Sequence, residues 1–145
     1  MLRLLPFLIL PLALAACDTM PRDAAGTTDR IEASGRMRVA VMPDTPDAAP
    51  ALALLADYAR VHGARIAKVE THGEHALRGL EDGRIDAVVG HFAKASPWKT
   101  DIALSKAVGR AEPSDGRHPV LRIARRNGEN ALVLATDRLV AGSAQ

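Results

Sequence analysis

The residues best suited to chemistry sit together. Gly90-His91-Phe92 and Ser96-Pro97-Trp98-Lys99 bring an imidazole, a hydroxyl, an ammonium and two of the chain's few aromatic rings directly after the apolar run Ile85-Asp86-Ala87-Val88-Val89. An imidazole hydrogen-bonds and changes charge near neutral pH. Phe92 and Trp98 offer either an apolar platform or a cover for the end of a sheet. Asp44 and Thr45 stand in a proline-bounded loop, where they suit both ligand contact and a turn, and Ser105 follows a further apolar segment. His72 and His75 with Glu74 raise a metal reading, but Gly73 breaks the helical spacing and no third ligand is evident. The expected metal and cofactor complement is none. Enzymatic chemistry is not expected either: there is one cysteine, no G-x-S-x-G elbow, no phosphate-binding glycine loop, and no carboxylate pair spaced for acid and base work.

Such a cluster needs a scaffold, and the chain spells one. Met37 to Met42 reads as a strand, Ala51 to His62 as a helix ending at Gly63, Ile66 to Thr71 as a second strand, His75 to Asp82 as a short helix ending at Gly83, and Ile85 to Val89 as a third strand. Alternation at these short intervals calls for right-handed crossovers and a mostly parallel α/β sheet flanked by helices. In such sheets ligands bind beyond the carboxyl ends of the strands. His91, Phe92 and the residues after them therefore fall at a site position, immediately beyond the third strand. Asp86, inside the strand run, is read as a hydrogen-bonding residue at the sheet's edge.

The amino terminus, MLRLLPFLILPLALAAC, has one positive charge, a short apolar stretch interrupted by Pro6 and Pro11, and small residues before Cys17. Residues 1–16 read as a secretory signal rather than a spanning helix. Leu14-Ala15-Ala16-Cys17 resembles the lipobox of bacterial lipoproteins, which implies that Cys17 is lipidated and carries palmitate. Asp18 is similar to the residue that disfavours sorting to the outer membrane. The expected location is the periplasmic side of the cytoplasmic membrane, with residues 17–34 as a flexible tether and 35–145 as the domain. On the order of 130 mature residues suffice for one core and not two. The chain's net charge of +2 includes Arg3 of the signal, so the mature charges are nearly even and nucleic acid is not an expected partner.

The order GRMRVAVMP, ADYARVHGARI, ALRGLEDGRIDAVVG and SPWKTDIALSKAV resembles the extracellular solute-binding proteins of the polar amino acid ABC-transporter type, over roughly Gly35 to Val108. HPVLRIARRNGENALVLATDRLVAG resembles the family's closing strand and terminal helix. Gly109 to Arg117, with a turn at Pro113-Ser114-Asp115-Gly116, joins the two matches directly, so the outgoing and returning segments are expected to pair as a hairpin. The resemblance implies a single lobe, with Asp44, Thr45, His91, Phe92, Ser96, Trp98, Lys99 and Ser105 at its ligand face. Family members that bind amino acids present an arginine from the turn after the third strand. Here that turn holds only Lys99, and amino-acid binding in that manner is not expected. Two functions remain: a tethered module that presents a small-molecule solute to a transporter or sensor, or an interaction lipoprotein whose face docks a periplasmic or membrane protein. A homodimer pairing two lobes face to face would rebuild a closed cleft, and the sequence leaves that open.

Overall fold

The computed structural model describes residues 21–143. The signal segment, Cys17 and Asp18 lie outside the described residues. In chain order the elements are α1 (Thr27–Ser34), β1 (Arg36–Val41), α2 (Ala49–Val61), β2 (Arg65–Lys68), α3 (Glu74–Glu81), β3 (Ala87–Phe92), a 3-10 turn (Pro97–Thr100), β4 (Ile102–Leu104), β5 (Val120–Arg126) and α4 (Asn130–Ser143). The sheet order is β2-β1-β3-β5-β4. β1 is parallel to both β2 and β3, whereas β5 runs antiparallel to both β3 and β4, so four strands share one direction.

Both faces of the sheet are buried, which is why its strands read as continuous apolar runs. Alternate residues feed two cores. Met37, Val39, Val89 and Ile123 join Ile31, Leu55, Tyr58, Leu132 and Val140 beneath α1, α2 and α4. Ala40, Val88, Phe92 and Ala124 join Leu77, Leu80 and Ile102 beneath α3.

β3 runs two residues past its glycine. Gly90 reads as a stop, yet it lies within the strand, and a Cβ there would stand 2.6 Å from Met42 Cγ. Close packing, and not chain termination, explains the glycine. His91 and Phe92 are consequently strand residues rather than residues beyond it, and the pleat sends them to opposite faces. Asp86 also differs from expectation. It sits at the amino end of the central strand, buried, with Oδ1 accepting from Arg30 Nη2 at 2.6 Å and Arg38 Nη2 at 2.8 Å, and Oδ2 accepting from the Arg38 backbone N–H at 2.7 Å.

The segment expected to be a tether is largely part of the domain. α1 occupies its second half, with Ile31 fully buried, and Gly35 ends it in the left-handed conformation at φ 62°. Ahead of α1, two carboxylates cap each other's helices. Asp23 accepts from the Thr28 N–H of α1 at 2.8 Å and the Leu132 N–H of α4 at 3.0 Å. Glu129 accepts from the Ala25 and Thr27 N–H groups at 2.8 and 3.0 Å. These acceptors satisfy amides that a helix start leaves open. Thr28 Oγ1 also meets Tyr58 Oη at 2.9 Å, and burial pushes the Tyr58 hydroxyl up to about 12. Among the described residues the domain's contacts therefore start at Asp23, ahead of the expected boundary at Gly35.

Ile31→Ala is expected to lower unfolding stability by about 2–5 kcal/mol, the usual range for emptying a fully buried aliphatic site. Val61→Ala, at a position 74% exposed, is expected to change it by less than about 0.5 kcal/mol. Chemical denaturation of both variants measures this. Equal, small effects would mean that α1 is not part of the cooperative unit.

Candidate functional site

The carboxyl ends of β1, β3 and β4 lie at one end of the sheet. There the β1–α2 loop, the segment after β3, and the start of β5 meet, because Phe92 pairs with Val120 and Leu104 with Ala124. Asp44, Thr45, His91, Phe92 and Ser105 fall on or near this end, whereas the chain after Phe92 runs back along the sheet through the 3-10 turn to begin β4 at Ile102, opposite Arg126, and so carries Lys99 to the other end; most of the predicted residues are already engaged.

Asp44 is exposed and is the single non-glycine residue among those described with positive φ, at 59°. Aspartate tolerates that conformation, and the flanking Pro43 and Pro46 fit a turn. Thr45 is buried, its hydroxyl turned toward Pro43 O at 3.4 Å. Met42, Asp44, Thr45 and Pro46 border a shallow depression. His91 Nε2 lies 3.0 Å from Asp47 Oδ1 at the surface. Phe92 is buried in the α3-side core, and Trp98 packs half-buried against the same core, so neither forms an open platform. Ser96 caps the 3-10 turn, its Oγ accepting from the Trp98 N–H at 3.3 Å. Lys99 is exposed. Ser105 is buried, with Oγ accepting from the Ile123 N–H at 3.0 Å and donating to Lys106 O at 2.7 Å. Among the described residues no group of three His, Cys, Asp or Glu side chains gathers as a metal site.

The residue that organises this end is one the sequence reading passed over. Arg122 stands on β5 beside Gly90 of β3, and its side chain is 2% exposed. Nε donates to Phe92 O at 3.0 Å and Nη1 donates to Ser105 O at 2.8 Å. The outward side of the guanidinium grips Glu112 in a two-bond fork, Nη1 to Oε2 at 3.0 Å and Nη2 to Oε1 at 2.5 Å. Glu112 comes from residues 105–119, which join β4 to β5 without helix or strand. Its Oε2 also accepts from the Ala107 N–H at 2.9 Å. The expected antiparallel pairing of outgoing and returning segments is present as β4 with β5, and a turn forms at Ser114-Asp115.

A forked cation therefore does serve this face, although it arrives from the returning strand rather than from the turn after β3. The available signal was a charged residue inside the apolar run Val120-Leu121-Arg122-Ile123-Ala124, since charges inside a strand of that kind are buried only with partners. Arg125, from the same strand, is fully buried on the opposite face and donates to Asp137 Oδ1 at 2.6 Å.

A larger cleft, about 770 Å³, lies elsewhere, among α1, α2 and α4, with Asp23, Thr28, Tyr58, His62, Leu134 and Arg138 in its wall. None of the strand-end residues lines it. The strand ends remain the better candidate because the buried polar groups converge there.

The hydrogen bonds from Arg122 hold the Glu112 carboxyl below its usual value. The stabilisation that this pairing provides is present above about pH 4.5 and is lost as pH falls through the folded-state value. The stability difference between wild type and Glu112→Gln is accordingly expected to shrink on acidification below about pH 4.5. Denaturant melts from pH 7 to pH 3 measure it; a difference that does not vary with pH would show that the ion pair contributes nothing through its charge.

Comparisons with known proteins bear on the fold. No protein-family model matches the chain, and no curated protein does. Among solved structures, the arginine-bound form of domain 1 from TmArgBP superposes with a TM-score of 0.63 at 18% identity, over 79% of this chain and 98% of that one. An ancestral cationic amino acid solute binding protein gives 0.61 at 15% identity, over 80% and 93%. The arginine-bound form of truncated ArgBP from T. maritima gives 0.59 at 13% identity, over 79% and 99%. At these identities the likeness is one of fold: the chain has the α/β architecture of a solute-binding-protein domain.

Proposed function

We propose that the protein is a non-catalytic solute-binding module, a single lobe tied by a lipid on Cys17 to the periplasmic face of the cytoplasmic membrane, which takes a small polar solute at the carboxyl ends of β1, β3 and β4. One observation carries this. The fold corresponds, over nearly the whole length of the other chain, to a domain described in its arginine-bound form, so this architecture holds a solute within a single domain. The face has the charges for a zwitterionic or otherwise polar solute. Asp44 and Asp47 are exposed after β1, and Lys94 is exposed after β3.

The geometry gives the anchored reading a direction. The chain enters the domain at Asp23, beside Glu129, just past the carboxyl end of β5. Because β5 is antiparallel to β3, that end is opposite the candidate face. From Cys17 to Asp23 the backbone can span at most about 20 Å. An anchored domain would stay close to the bilayer with its solute face turned toward the periplasm. A transporter or sensor in the same membrane would meet it at raised effective concentration.

Two measurements test the proposal. Wild type is expected in the membrane fraction and to incorporate labelled palmitate, with Cys17→Ala losing both. In a thermal-shift screen against amino acids, organic acids, sugars and amines, one class is expected to raise the midpoint steadily with concentration. Asp44→Asn, which keeps a residue that tolerates the left-handed backbone, or His91→Ala is expected to abolish that rise while leaving the unliganded midpoint within about 2 °C. If no compound shifts the midpoint, the solute reading fails, and a protein-docking role for the same face takes its place.

A further inference from the structure

We infer that Arg122 is the carboxylate-recognition residue of this face and that Glu112 is its built-in occupant, so that a carboxylate-bearing solute enters by exchange with the chain's own glutamate. The inference rests on reading the strand ends as a solute-binding face.

Arg122 has the construction of a recognition site. Its guanidinium is immobilised from behind by two backbone carbonyls, Phe92 O at the end of β3 and Ser105 O just after β4. Those bonds fix the plane of the group and leave its outer edge pointing away from the sheet. A planar fork held in that way matches two carboxylate oxygens at once, which an ammonium cannot do. Because the side chain is 2% exposed, the fork requires an anion: a buried cation with no partner is strongly disfavoured.

Glu112 is far less buried than the arginine it fills, although its Oε2 also accepts from the Ala107 N–H at 2.9 Å. Its side chain is 30% exposed, so its carboxylate stands between the buried cation and water. Around it Gly109, Arg110 and Ala111 are exposed, as are Ser114, Asp115 and Arg117 to Pro119. Beyond Val108, whose N–H bonds to Leu121 O at 2.9 Å, one backbone bond ties the segment to the rest of the face, from the Ala95 N–H to Gly116 O at 3.1 Å. Withdrawal of Glu112 would open the outer edge of Arg122 to solvent without disturbing the β4–β5 ladder. Lys94, a second cation acting on the Glu112 carboxyl, favours an incoming anion as well. The solute class that follows is a small molecule with a free carboxylate, an amino acid or an organic acid.

Acetate is the probe, titrated into the purified protein and followed by thermal denaturation, with chloride at equal ionic strength as the reference. In Glu112→Ala, acetate at about tenfold excess over its dissociation constant is expected to raise the midpoint saturably by about 5 °C. Wild type, its fork filled, is expected to respond much less, and Glu112→Ala combined with Arg122→Lys not at all. Glu112→Asp withdraws the carboxylate by one methylene while keeping the charge. It is expected to show an intermediate response, and it provides the same reading if the alanine variant does not fold. No response beyond chloride in either variant overturns the inference. So does a screened solute whose affinity is the same in wild type, Glu112→Asp and Arg122→Lys, although that result leaves the solute-binding reading standing.

Discussion

The candidate face is organised around one buried cation. Arg122 reaches the carboxyl end of the sheet from β5 and touches the end of β3 through Phe92 O, the end of β4 through Ser105 O, and the connecting segment through Glu112. Removing a buried charge from water costs several kcal/mol, and only well-made hydrogen bonds offset it. Each element at that end is therefore set by what the guanidinium requires. Gly90 contributes by omission: with no side chain of its own it leaves room for Met42, alongside the strand position that Arg122 pairs with. Ser105 holds the opposite flank of β5 by accepting from the Ile123 N–H.

The opposite end of the sheet is fixed by a second set of charges. Asp86 is the counterpart of Arg122 there, a buried carboxylate at the start of β3 held by Arg30 of α1 and Arg38 of β1. Asp23 and Glu129 cap α1 and α4 reciprocally and tie the incoming chain to the start of α4. α1 is thereby bound twice, by its apolar Ile31 and by its ionic partners. In this arrangement the end at which the chain enters the domain and the candidate face are separated by the length of the strands.

What the sequence made legible follows from how each element is stabilised. β1, α2, α3 and β3 are apolar segments punctuated by Gly63, Gly83 and prolines, and their burial alone accounts for them. α1 has a single apolar residue inward, Ile31, among Thr27 to Ser34, so no periodicity marks it; its stability comes from contacts with residues more than a hundred positions away, such as Glu129. Gly90 was misread for a related reason, because a glycine that ends a strand and one that admits a neighbour's side chain look identical in one dimension. The candidate face follows from the rule of carboxyl strand ends. Its hydroxyls were not the free groups they resembled, since Ser96 and Ser105 satisfy backbone amides. Arg122 could be noticed as a charge in an apolar run, but its pairing with Glu112 depends on the fold of residues 105–119.

The central claim is that solute is received at the carboxyl ends of the strands. The most direct test is to follow backbone amide resonances of isotope-labelled protein while amino-acid and organic-acid mixtures are added. The account predicts shift changes gathered at Met42–Asp47, Gly90–Ala95 and the segment carrying Glu112. Changes confined to the cleft around Tyr58, His62 and Arg138, with the strand ends undisturbed, would contradict it.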